Sequence, residues 1–195
     1  MSPKVNASFV LSAASARDFP ESGFAEIAFV GRSNVGKSSL INALVGQTIA
    51  RTSAAPGKTR LANYYLVGDD LYFVDLPGYG YARGGPDVAR EFQALTREYF
   101  TIEAPSRRRI AGILHLIDTR HTDLPQDEAA HRWILQTGIP IAVVATKTDK
   151  MNRAERTRHL EALGSAYDTI VLPVSVLDGT GMVEIWKEIR GWVQR

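Results

Sequence analysis

The sequence predicts an α/β fold: a mostly parallel sheet of six strands, with one antiparallel edge strand and helices on both faces. Three observations carry this expectation. Apolar β-rich runs alternate with helix-period segments along the chain. One of them, Phe24 to Val30, passes straight into a glycine and a short polar loop closed by a second glycine and a lysine. Leu61 to Val67 and Leu71 to Val74 are separated only by Gly68-Asp69-Asp70, the signature of a hairpin.

The elements follow in order. Ala7 to Ala14 after Lys4 superficially imitates a short leader, but Asn6, Ser8, Ser12 and Ser15 weaken its apolar character. The preferred reading makes residues 1–23 an extension, a first strand or extended arm packed on a single domain of residues 24–195. After the Phe24–Val30 strand, a helix is expected from about Ser38 to Val45. Gly46 to Arg60 is polar, lacks a period and contains Pro56-Gly57, so it reads as a mobile loop. Beyond the hairpin, Asp75 to Gly85 is rich in glycine and reads as a second flexible loop, and Pro86 is placed to open a helix reaching about Ile102. Ile110 to Ile117, Ile139 to Ala145 and Ile170 to Val174 read as further strands, and Gly181 to Trp192 as the last helix.

Bulk properties narrow the class. The 195 residues are 45% hydrophobic and 23% charged, ordinary values for a globular domain with one core. The net charge of +2 permits an RNA or phosphate-rich partner without requiring one. The absence of cysteine excludes disulfides and thiolate metal sites. No apolar run approaches the ~18 residues of a membrane span, so no stable membrane association is expected. A monomer located in the cytoplasm is the accompanying expectation.

Gly31-Arg32-Ser33-Asn34-Val35-Gly36-Lys37-Ser38 matches G-x-x-x-x-G-K-[ST] between a strand and a helix. The spacing has a physical reason. The two glycines let the backbone curl until successive N–H groups face a phosphate, and the helix that follows adds its positive end. Lys37 then reaches the β- and γ-phosphates of a nucleotide, and the Ser38 hydroxyl is a Mg²⁺ ligand. Leu71-Tyr72-Phe73-Val74-Asp75 ends an apolar strand on a carboxylate suited to hold that Mg²⁺ through water. Asp75-Leu76-Pro77-Gly78 places the Gly78 N–H where it can sense a γ-phosphate.

Base choice rests on Thr146-Lys147-Thr148-Asp149, after the strand ending at Ala145. A carboxylate at Asp149 accepts from guanine N1–H and the exocyclic amine together, a donor pair that adenine lacks. The Lys147 stem can lie over the base. Val174-Ser175-Val176, after the last strand, stands where a loop would meet the guanine carbonyl; a helix cap at Ser175 is the competing reading.

With these pieces in order, the chain resembles the translation-factor-related class of Ras-like P-loop GTPases, and within it the bacterial EngB (YihA/YsxC) family. The resemblance is carried by Glu26 to Asn42, Pro56-Gly57-Lys58-Thr59, Asp75-Leu76-Pro77-Gly78-Tyr79-Gly80 and Asp118-Thr119-Arg120-His121. It implies GTP and GDP as ligands and Mg²⁺ as cofactor, with a role in assembling the large ribosomal subunit through rRNA or ribosomal proteins. It also implies links to cell division and septation. It further implies Thr59 as the threonine completing the Mg²⁺ shell, although Thr52 competes from sequence alone. Nucleotide contacts are implied at Ser39, Gly57, Lys58, Arg60, Leu61, Leu76, Pro77 and Thr148 as well. Lys37, Thr59 and Gly78 are the expected catalytic positions.

Two departures from Ras-like enzymes stand out. Thr146 replaces a common asparagine, which should cost loop rigidity but not guanine choice. Tyr79 stands where Ras-type enzymes carry the water-orienting glutamine, so slow intrinsic hydrolysis is expected, with an activating partner or ion supplying the rest. Asn34 is a candidate K⁺ ligand; the competing reading is a side chain that only braces its loop. His121 is a weaker candidate near the site. Arg107-Arg108-Arg109 should lie at the far end of the sheet, as a solvated face or an rRNA contact. Trp186 and Trp192, six residues apart, are expected to divide between core and surface. The alternative function is a GTP-dependent module that docks a division or membrane protein, with hydrolysis incidental.

Overall fold

Ala25–Gly31 is buried at all seven residues, as a strand covered on both faces must be, and it forms the middle of the sheet. The structure is a computed structural model and describes residues 5–51, 61–80, 94–101, 109–121 and 124–194. Its strands are β1 (Ala7–Ala13), β2 (Ala25–Gly31), β3 (Ala62–Val67), β4 (Leu71–Asp75), β5 (Arg109–Asp118), β6 (Ile141–Thr146) and β7 (Val171–Pro173). The helices are α1 (Lys37–Val45), α2 (residues 94–101), α3 (Pro125–Leu135), α4 (Arg153–Tyr167) and α5 (Met182–Val193).

The order across the sheet is β1-β3-β4-β2-β5-β6-β7. Seven strands pair rather than the six expected, because the N-terminal segment pairs antiparallel with β3. β3 is the one strand running against the others, joined to β4 by the Gly68 turn, and β1 lies outside it. Pairings of β2 with β4 and β5, of β5 with β6, and of β6 with β7 are all parallel. The carboxyl ends of β2, β4, β5, β6 and β7 therefore open at one edge, where ligands of such sheets bind.

Each face has its own core. Leu40, Leu44, Ile185, Trp186, Ile189 and Trp192 of α1 and α5 cover one face. Leu95, Tyr99 and Ile134 of α2 and α3 pack with Tyr64, Tyr72 and Ile113 on the other. Leu163 and Tyr167 of α4 close over Ile117 and Val143. Both tryptophans are buried, contrary to the expectation that one would be exposed. Seven residues make nearly two turns, so Trp192 falls in line with Ile185 while Trp186 sits beside Ile189, and one broad stripe holds both. The Trp192 ring lies where a side chain on Gly112 would be, which leaves β5 room only for glycine there.

Arg109 begins β5 at the sheet end opposite the ligand edge, and its guanidinium donates to the Val193 carbonyl (2.6 Å). Arg107 and Arg108 lie outside the described residues, as does the Pro86 start expected for the helix before Ile102. No helix among the described residues is long and apolar enough to cross a membrane.

Candidate functional site

The glycines of the first loop answer to different constraints. A Cβ on Gly31 would lie 2.7 Å from the Leu116 carbonyl oxygen and 2.9 Å from Val35, so β2 can end against β5 only with glycine. Gly36 caps α1 with φ 115°, open to glycine and strained for other residues. Between them Asn34 takes φ 63°, a left-handed turn that asparagine tolerates, and it is exposed. Ser39 follows on the first turn of α1, half-buried.

Three polar side chains meet beneath this loop. The Lys37 ammonium is buried and donates to the carbonyls of Gly31 (3.3 Å) and Arg32 (3.4 Å). Ser38 donates its hydroxyl proton to Asp75 Oδ2 at 2.7 Å. Asp75 Oδ1 is buried with no hydrogen-bond partner among the described residues. Burial pushes the Lys37 pKa down, opposed by the charge of Asp75. Burial pushes the Asp75 carboxyl up, opposed by Lys37 and the Ser38 bond. An orphaned buried carboxylate oxygen beside a serine hydroxyl suits a hard cation, whose charge would satisfy it.

The segment after β4 is folded onto the loop. Leu76 is buried, its N–H donating to the Phe29 carbonyl (3.2 Å). Pro77 is buried as well. Gly78 lies so close that a Cβ there would be 2.7 Å from the Ser33 nitrogen, and Ser33 N–H donates to the Tyr79 carbonyl (3.1 Å). The Tyr79 hydroxyl turns inward, 2.7 Å from His115 Nε2 and 2.8 Å from Asp127 Oδ1. Gly57, Lys58, Thr59 and Arg60, with the competing Thr52, lie outside the described residues; Leu61 is exposed just before β3.

The carboxyl ends of β5 and β6 carry a closed polar network. The Thr146 hydroxyl lies within hydrogen-bonding distance of the carbonyls of Val35 (2.9 Å) and Ile117 (3.1 Å), so it still ties the phosphate loop to β5 despite replacing asparagine. Lys147, at φ 62°, donates to the Asn34 carbonyl and to Asp118 Oδ2, both at 2.9 Å. Arg120 grips Asp118 with Nε at 2.9 Å and Nη2 at 2.8 Å. Burial would raise the Asp118 pKa, but the bonds from Arg120 and Lys147 outweigh it and hold the carboxyl well below the usual range. Thr148 N–H donates to the Val174 carbonyl (3.3 Å), which brings the loop after β6 against the end of β7. Asp149 lies in the short turn of residues Thr148–Lys150, 3.4 Å from the Lys150 ammonium.

Ser175 is buried; its N–H donates to Thr180 and its hydroxyl accepts from the Asp178 N–H (3.4 Å), while Val176 is exposed. His121 is exposed, with its backbone closing the turn onto Asp118. Asp118 and Arg120 were assigned no role by sequence reasoning. Asp118 carries the same signal that found Asp75, a carboxylate ending a buried parallel strand.

Comparisons with known proteins show the family of the chain. A family model described as 50S ribosome-binding GTPase matches residues 26–147. The probable GTP-binding protein EngB of Clostridioides difficile is 40% identical over 184 residues, 92% of this chain and 89% of that one. Its counterpart in Solibacter usitatus is 42% identical over 191 residues, covering 97% of each. Among solved structures, a probable GTP-binding protein EngB aligns with TM-score 0.70 at 22% identity, over 87% of this chain and 98% of that one. Aquifex aeolicus Era bound to GDP and AlF4⁻ aligns with TM-score 0.71 at 23% identity, over 87% and 57%. At such identities the structural likeness speaks for the fold alone.

Proposed function

The chain belongs to the EngB family of GTP-binding proteins, and from that premise we propose that it is a slow GTPase acting as a switch in assembly of the large ribosomal subunit. The guanine reading is carried by Asp149, on a loop braced by the contacts of Lys147 with Asn34 and Asp118. Its carboxylate accepts from N1–H and the exocyclic amine of guanine, with Val174, Ser175 and Val176 flanking the base. Competition of unlabelled ATP against a fluorescent GTP analogue tests this. ATP should fail to displace the analogue, and efficient displacement would overturn the base assignment.

In the reaction, water attacks the γ-phosphate in line and GDP departs. Lys37 and the N–H groups of residues 31–38 stabilise the charge that spreads over the phosphate oxygens. The Gly78 N–H reads the presence of the γ-phosphate. Mg²⁺ would be held by Ser38 and Asp75, with Thr59 as the implied third position, and when bound it neutralises charge on the β- and γ-oxygens. Asp75 Oδ1, unpartnered among the described residues, supports that placement.

Slow turnover is supported by Tyr79, whose hydroxyl is committed to His115 and Asp127 rather than to an attacking water. Asn34 is a candidate to hold K⁺, the alternative being a side chain that only braces its loop; the charge of a K⁺ held there would supply the missing stabilisation. Hydrolysis should then be faster in K⁺ than in Na⁺, and equal rates would remove the ion from the mechanism. The ribosomal role is supported by the 50S ribosome-binding description of the matching family. Salt-sensitive co-sedimentation with large subunits, present with GTP and lost with GDP, is the expected result. Capture of a protein partner alone would favour the docking-module reading instead.

A further inference from the structure

Behind the Gly78 segment the Tyr79 hydroxyl heads a series of buried polar groups, whose protons the proposed reaction leaves unassigned. Asp127 Oδ1 is 2.8 Å from the Tyr79 hydroxyl, the hydroxyl 2.7 Å from His115 Nε2, His115 Nδ1 3.3 Å from His131 Nδ1, and His131 Nε2 3.1 Å from the Tyr167 carbonyl. Asp127, His115 and His131 are each at most 3% exposed. The groups come from four elements: the loop after β4, the middle of β5, one face of α3, where Asp127 and His131 are four residues apart, and the end of α4.

Each of these four contacts needs one proton between its heavy atoms. An ionised Asp127, a neutral Tyr79 and two neutral imidazoles bring only three. The Tyr167 carbonyl can only accept, so His131 must keep its proton on Nε2 and offer a bare Nδ1. Either His115 donates to it, leaving Tyr79 with one proton for two acceptors, or His115 turns its proton to Tyr79 and two imidazole lone pairs face each other. One contact fails in both arrangements. A buried contact between two acceptors is unfavourable.

We propose that the series carries a fourth proton, on Asp127, and that Asp127, His115 and His131 are positioning residues which hold Tyr79, and with it Gly78, in register while that proton is present. All four protons then point the same way: Asp127 to Tyr79, Tyr79 to His115 Nε2, His115 Nδ1 to His131 Nδ1, and His131 Nε2 to Tyr167. Loss of the Asp127 proton turns the Tyr79 hydroxyl back to the carboxylate. His115 moves its own proton from Nδ1 to Nε2, and the contact between the histidines opens.

The surroundings place the extra proton on the carboxyl. Burial pushes the His115 pKa down to about 3, with His131 adding to the effect. Burial also lowers His131, opposed by its bond to Tyr167. Burial raises the Asp127 carboxyl, and the charge of Asp118 raises it further; the Tyr79 bond, Arg32 at 4.0 Å and His121 pull the other way. Among the described residues, the Tyr167 phenol on α4 also acts on Tyr79, and Glu128 on α3 acts on that phenol.

The effect on nucleotide preference rests on Gly78 as the γ-phosphate sensor, so the test has two arms. Long-range ¹H–¹⁵N NMR of the imidazoles in nucleotide-free protein, from pH about 5 to about 9, reads the tautomers directly. His115 should be Nδ1–H at the acid end and Nε2–H at the alkaline end. In Asp127→Asn the amide supplies the donor at every pH, and His115 should stay Nδ1–H throughout. An unchanging His115 tautomer in the wild type, a doubly protonated His131, or an Asp127→Asn protein that titrates like the wild type would each overturn the proposal. In the second arm, the ratio of affinities for a non-hydrolysable GTP analogue and GDP should shift several-fold over the same range in the wild type and stay flat in Tyr79→Phe. A flat wild-type ratio with the tautomer change intact would overturn the coupling to Gly78 and leave the proton inventory standing.

Discussion

At the proposed phosphate end of the site, Ser38 lies against the buried Lys37 and Asp75, with one carboxylate oxygen unpartnered among the described residues. At the proposed base end, Thr146, Lys147, Asp118 and Arg120 already have partners inside the protein, on the loop of residues 31–38 and on one another. The first arrangement is costly until charge arrives from outside; the second is rigid before any ligand binds. Substitutions at the phosphate end should therefore cost function far more than stability, and those at the base end should cost both.

The largest expected effect is at Lys37. Lys37→Ala should reduce hydrolysis by ~10²–10³-fold, the loss typical of removing one donor that stabilises transition-state charge. Because its buried ammonium is held at a depressed pKa, the melting temperature of nucleotide-free protein should move by no more than about 2 °C. A large drop in melting temperature would mean that Lys37 stabilises the fold before any ligand binds.

Next in size is Asp118→Ala, which strands Lys147 and Arg120. Breaking a buried ion pair costs ~3–5 kcal/mol, but these two side chains are 30% and 45% exposed and can rehydrate, so about 1–2 kcal/mol is expected by denaturant unfolding. GTP and GDP affinities should fall together, since the base is common to both.

The acid limb of stability follows from the same carboxylate. The folded-state pKa of Asp118 is depressed, so its contribution is present above the unfolded carboxyl value and is lost as pH falls through the folded one. Wild type should therefore lose stability between pH ~4 and ~2 more steeply than Asp118→Asn, measured by thermal unfolding at each pH. Smallest is Thr146→Val, which removes one hydroxyl bridge and should cost about 1 kcal/mol with guanine preference retained.

What could be read from the chain and what could not divides along physical lines. The glycine spacing of residues 31–36, the hairpin at Gly68 and the carboxylate ending β4 are local signals, and each fell where its pattern put it. The ends of the strands moved by only a residue or two. The pairing of β1 with β3 joins segments about 55 residues apart, and no local pattern chooses between an arm and a strand. The Asp118–Lys147–Asn34 clasp and the Tyr79–His115–His131 series likewise join residues from different elements. His115 in particular looks like one polar interruption of an apolar strand, and only packing reveals its neighbours.

The most direct test of guanine recognition at the base end is the affinity of Asp149→Asn for GTP and for XTP. Xanthine carries a carbonyl where guanine carries its exocyclic amine, so an asparagine amide can donate where the aspartate accepted. GTP affinity should fall by about 10²-fold or more, and XTP affinity should rise above that of the wild type. Retained GTP binding, or loss of GTP without any gain of XTP, would contradict the placement of Asp149 on the base.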